Sequence, residues 1–195
     1  MTSERRILAA LTVFMGLMTT AWSSNALETL PVIAVIGMML GVLGIFLGAV
    51  GLVGSLRAPR GASGPSRPAQ PGPAQPVRSP GRLVSGRAAG IFAGIEVVVI
   101  ALVCMLLGAT GHGAVIVPAV AFIVAAHFAL FRLAQDQVLH IVAAVVGCLG
   151  AGVAIVLVLR GDLDEAAGRA LAGLSLAACT AAYAAVFARQ VWRRA

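Results

Sequence analysis

The chain has no lysine and little charge of either sign: 14 arginines and 7 acids in 195 residues, 11% in all. A water-soluble domain carries roughly 25% charged residues. With 60% hydrophobic residues and a mean hydropathy of +1.00, most of this surface cannot be solvated by water. Lipid is the expected solvent.

Cysteine is scarce and unpatterned. Cys104, Cys148 and Cys179 make an odd number, each within an apolar run, with no C-x-x-C and no metal-ligand spacing. That excludes a disulfide framework and reads as small apolar filler. Alternating apolar and polar residues are also missing from the long runs, which excludes the strands of a membrane barrel and leaves helices. There is no HExxH, and "GLSLA" at Gly173 has no histidine in its own span to activate Ser175, so no catalytic residue is assigned. No cofactor or metal is expected.

The net charge of +7 and pI near 11.2 would suit a nucleic-acid ligand by number alone. Position argues otherwise, because the arginines sit at the ends of apolar runs and in one linker. This is a topology signal, with anionic lipid headgroups as partner and no nucleic acid.

A helix needs ~20 apolar residues to cross a bilayer, with a usable range of about 17–25, and six segments qualify. They run Ile7–Ser23, Pro31–Leu56, Ala88–Gly108, Ala114–Phe131, Val138–Leu159 and Gly168–Ala188. The expected fold is an all-α integral membrane bundle in a two-plus-four arrangement. Residues 1–56 form a two-helix hairpin, 57–87 a disordered Pro/Arg-rich cytoplasmic linker, and 88–195 a four-helix unit.

Arg5, Arg6, the six arginines from Arg57 to Arg87, Arg132, Arg189, Arg193 and Arg194 fall on one side of these spans; only Arg160 and Arg169 fall on the other. The excess places both termini and the linker in the cytoplasm of a bacterial inner-membrane protein. "MTSERR", an apolar run and "SSNA" also resemble a signal peptide, with Ser24 and Ala26 at the cleavage positions. The run is longer than a typical signal core, so a retained anchor is preferred.

The linker holds seven of the nine prolines and no acid, a composition that favours extended, unpacked chain. In the second span Gly37, Gly41, Gly44, Gly48 and Gly51 recur at intervals of four and three. They form one stripe on which another helix can approach closely. The partner of that stripe is open: the first span, the four-helix unit, another membrane protein or a second copy in a homo-oligomer.

One acid interrupts the third span. An ionised group within a membrane helix is costly and turns toward protein or water. Glu96 has Ala89, Ala93, Ile100 and Val103 in helical register, a face suited to packing. His127 in the fourth span and His140 in the fifth fall at neighbouring depths, and His140 shares a stripe with Ala144, Gly147, Ala151 and Ala154. Glu96, His127 and His140 are therefore the candidate proton or cation site. In a structural reading they fix the bundle; in a transport reading they relay protons or cations; in an enzymatic reading they hold zinc as a 2-His-1-carboxylate set.

"GIFAGIEVVVI", "VPAVAFIVAAHF" and "VLHIVAAVVG" together resemble a family of uncharacterised bacterial multi-pass membrane proteins, over about residues 90–150. The resemblance points to Glu96, Pro118, His127, Phe128 and His140 as belonging together, and it implies no activity. The expected function is a non-enzymatic membrane partner or scaffold subunit. The alternative is a small proton- or cation-coupled transporter, and a zinc-dependent membrane enzyme ranks third.

Overall fold

Helix ends in this chain are set by local chemistry that can be followed residue by residue. A computed structural model describes the backbone of residues 2–57, 86–131 and 138–193, and the side chains of 4–56, 94–130 and 138–193. Among these residues the secondary structure is helical throughout: α1 (Thr2–Ser24), α2 (Pro31–Arg57), α3 (Gly86–Ala109), a 3-10 turn (Gly113–Val115), α4 (Ile116–Phe131), α5 (Val138–Arg160) and α6 (Glu165–Arg193).

Asn25 ends α1 by donating from its side-chain amide to the carbonyls of Ala21 and Trp22. Pro31 then opens α2, where the amide it lacks would have had no helical partner. Both α3 and α5 end in a glycine of positive φ, Gly111 and Gly161 at 76° each. In each case the following amide reaches back to the last turn, His112 to Leu107 at 2.8 Å and Asp162 to Leu157 at 2.9 Å, which satisfies carbonyls that the helix leaves open. Asp164 starts α6: its carboxylate accepts from the Ala167 amide at 2.7 Å.

Five segments are long and apolar enough to cross a membrane: Glu4–Ser24, Pro31–Leu56, Gly113–Leu130, Val138–Arg160 and Glu165–Arg193. In α3 the segment Gly94–Ala109 is a shorter apolar helix. The boundaries differ from the apolar runs mainly at α6, which extends to Glu165 and Arg193. Its ends carry charge that a helix tolerates once its apolar centre is buried, and the Asp164 cap adds a further turn. The linker expected over 57–87 lies outside the described residues except at its ends, where Arg57 closes α2 and Gly86 opens α3.

α6 is the hub. It packs against α1, α2, α4 and α5, and its alanine- and glycine-rich surface lets all four approach. Leu8, Ala9 and Met15 of α1 share one apolar core with Phe128 of α4, Ala151 of α5 and Tyr183 of α6. The hairpin and the later helices, separate in sequence, are thus continuous in packing.

The glycine stripe of α2 meets mainly α1. A methyl group at Gly41 would sit 2.7 Å from the Gly16 carbonyl oxygen, and one at Gly48 would sit 2.8 Å from that of Ala9. Gly37 faces Ser23. Gly44 faces both Gly16 and Ala184 of α6, and Gly51 faces Val191 of α6. The matching small residues of α1, namely Ala9, Gly16, Thr20 and Ser23, are the other half of the seam.

Candidate functional site

α1 presents three faces. The small residues meet α2, while Leu8, Thr12, Met15 and Thr19 are buried in the bundle interior. A third row, Phe14, Met18 and Trp22 at intervals of four, shares a cleft with α3, and among the described residues α1 and α3 do not pack on one another. Between them lies a cleft of about 370 Å³. Its far walls are Glu96, Val97 and Ile100 of α3, Val124, His127 and Phe128 of α4, and Thr180 of α6.

Glu96 and His127 meet on this wall. Oε2 of the acid lies 3.2 Å from Nδ1 of the imidazole, with side chains 18% and 13% exposed. Helical register explains the pairing: α3 packs on α4, and the α3 face carrying Glu96 and Ile100 is turned toward it. An ionised carboxylate in such surroundings costs several kcal/mol unless it is paired, so the imidazole is the partner that makes the acid tolerable there. Whichever atom holds it, a proton shared by the two leaves the pair with no net charge.

His140 is placed differently. Its Nδ1 lies 2.6 Å from the hydroxyl of Tyr183, and the two rings stack with centroids 5.4 Å apart. Tyr183 also contacts Phe128 at 5.1 Å and Phe187 at 5.8 Å. Thr19 and Thr180 hydrogen-bond across α1 and α6 at 3.0 Å, and Cys179 donates its thiol to the Ala143 carbonyl. A buried polar knot therefore joins α1, α5 and α6 behind the cleft, and Phe128 and Thr180 belong to both. Of the three expected site residues, Glu96 and His127 come together directly, whereas His140 meets Tyr183 and is not among the residues that line the cleft. Among the described residues no three His, Cys, Asp or Glu side chains gather as a metal-ligand set.

Tyr183, Thr180, Thr19 and the aromatic row of α1 were not among the residues singled out from the sequence. Tyr183 carries a usable signal: it is the chain's single tyrosine, set in the alanine-rich run "AACTAAYAAVF" where a phenol needs a partner. At the opposite end, Arg169 reaches Glu28 at 2.8 Å and Glu165 at 3.8 Å, tying the α1–α2 turn to the start of α6. His112 lies exposed in the turn after α3, beside the Thr110 hydroxyl at 3.1 Å.

Comparison with known proteins finds no matching protein family, no matching curated protein and no matching solved structure. The functional reading rests on the geometry of the site.

Proposed function

We propose that the chain is a six-span protein of the bacterial inner membrane, arranged two plus four with both ends cytoplasmic, and that it acts as a small proton-coupled carrier. The arginine asymmetry supports the orientation. The observation that carries the function is the Glu96–His127 pair on the wall of a cleft. A polar contact that served only to hold two helices would be enclosed by them. This one borders space that a ligand can enter, and an ionisable pair at membrane depth is the usual currency of proton coupling. The arginine-rich linker rests on anionic headgroups in this reading, at ~1 kcal/mol per arginine near the surface.

A second reading, the membrane partner subunit, is favoured by α3 itself. Among the described residues it packs only on α4 and the turn before it, and Val97, Val98, Leu102, Met105 and Leu106 are exposed. Those residues suit either acyl chains or the helix of another protein.

Reconstitution separates the two. Proteoliposomes containing a trapped pH-sensitive dye and an imposed pH gradient are challenged in turn with Na⁺, K⁺ and organic cations. At least one should dissipate the gradient through the unmodified protein and not through Glu96→Gln, with both proteins eluting as the same folded species. If none does, and Glu96→Gln instead alters oligomer size or thermal stability, the carrier reading fails and the partner reading takes its place.

A further inference from the structure

The cleft has a chemical character of its own, and it narrows the class of ligand. We infer that it takes a lipophilic organic cation, seated against Glu96 in exchange for the proton that Glu96 and His127 share. This rests on the carrier reading for the exchange, while binding itself stands on the site.

Size is the first ground. A volume of about 370 Å³ falls within the ~300–1,000 Å³ of small-molecule sites.

The walls supply the second. Phe14, Trp22 and Phe128 contribute ring surface and Met15 and Met18 contribute polarisable sulfur. Aromatic faces attract cations and repel anions, the more so in a desolvated site.

Charge is the third. Among the described residues of the lining Glu96 is the one carboxylate, and none is an arginine. Among the described residues the cleft takes Phe14, Met15, Met18 and Trp22 from α1, His127 from α4 and Thr180 from α6, and the Thr180 hydroxyl is already bonded to Thr19. The α5 histidine, His140, is engaged by Tyr183 behind Phe128. An arriving monovalent cation would give the protonated pair a net charge in a low-dielectric site, which is costly. Loss of one proton to solvent removes that charge, leaving Glu96 ionised beside the ligand and His127 neutral.

The competing occupants fit less well. An acyl chain would satisfy the apolar walls and leave the acid with nothing to do. An anionic amphiphile meets a like charge. Na⁺ or K⁺ would have to surrender hydration for little more than one carboxylate. The walls agree with a lipophilic ligand, since α1 and α3 flank the cleft without packing together among the described residues and line it with apolar side chains.

Two ions of one shape and opposite charge provide the test. The full chain, purified in a non-ionic detergent, is titrated by equilibrium dialysis with tetraphenylphosphonium and with tetraphenylborate. Proton release is followed in weak buffer. The phosphonium should bind saturably, expel one proton per cation, and weaken about tenfold for each unit of pH lowered across the range where the pair is protonated. The borate should bind at least about tenfold more weakly, the discrimination expected from ~1.4 kcal/mol of charge preference. Glu96→Gln should abolish phosphonium binding and Phe14→Ala should weaken it.

Equal binding of the two ions, or binding without proton release, overturns the proposal in the unmodified protein, whatever the variants do. Gradient dissipation by Na⁺ or K⁺ with no phosphonium binding keeps the carrier reading and overturns this ligand class. Phosphonium binding with proton release but no flux in vesicles upholds the site and overturns carriage.

Discussion

Tyr183 Oη lies 2.6 Å from His140 Nδ1, and through that contact the chain's single tyrosine fixes α6 to α5 in a buried setting. The same ring packs on Phe128, the neighbour of His127, so the position of the cleft wall depends on how Tyr183 is seated. Tyr183→Phe keeps the ring and removes the hydroxyl. A loss of ~1 kcal/mol is expected, in line with interhelical hydrogen bonds in membrane proteins. Tyr183→Ala also empties the volume of the ring and should cost about 3–5 kcal/mol. Equilibrium unfolding in mixed micelles reads both, and equal stability of Tyr183→Phe and the parent would deny the contact any energetic weight.

Glycines of α2 that resemble one another in sequence should respond to alanine with opposite signs. At Gly48 the new methyl meets the Ala9 carbonyl oxygen at 2.8 Å and the backbone nitrogen of Val13 at 2.8 Å, so helix and helix must separate. Overpacking of this kind costs about 1–3 kcal/mol. At Gly54 the nearest atom is the end of the flexible Arg5 side chain at 4.0 Å. There alanine should stabilise by up to ~1 kcal/mol through helix propensity alone. Thermal inactivation of the two variants side by side checks the contrast; a shift of the same sign for both would mean that α1 and α2 do not approach at Gly48 as described.

These responses show what the sequence could and could not convey. The glycine stripe was readable because spacing alone places Gly37 through Gly51 on one face. Its partner was not, because the small residues of α1 are scattered among large ones and look unremarkable until α2 lies against them. The Glu96–His127 contact was legible in part: cost forces an acid in an apolar helix to find company, and two histidines fall in neighbouring apolar segments. Which one it takes depends on the rotation of α3 about its axis, and a helix apolar on nearly every side carries no pattern that fixes rotation. His140 illustrates the converse. Its small-residue stripe pointed correctly to burial, yet burial among polar groups does not say which of them answers, and a phenol on α6 does.

The Arg169 network should matter little and in a salt-dependent way. Its members are 31% exposed at Arg169, 70% at Glu28 and 57% at Glu165, so water and ions compete for each of them. Glu28→Gln is expected to cost no more than about 1 kcal/mol, and the difference from the parent should shrink in high salt. Unfolding measured at two ionic strengths is sufficient. A large, salt-independent loss would place the pair in a far drier setting than these exposures indicate.

The sharpest separation of stability from function falls on Glu96 and His127, where one contact at 3.2 Å can be probed from both ends. Glu96→Gln retains an amide oxygen able to accept from Nδ1 and removes the ability to ionise. Its effect on unfolding should stay within about 1 kcal/mol, the scale of a single neutral hydrogen bond. His127→Leu leaves the carboxyl without the imidazole in a nearly apolar cleft and should cost more, by about 1–3 kcal/mol. Because both substitutions act on this one contact, Glu96→Gln on its charge and His127→Leu on its donor, the double variant should fall short of the sum, with a coupling of at least about 0.5 kcal/mol. Additive losses would mean that the two side chains do not interact in the folded protein. A measurable coupling, joined to complete loss of cation-driven proton movement in Glu96→Gln at nearly unchanged stability, assigns the charge of this acid to transport and its hydrogen bond to the fold.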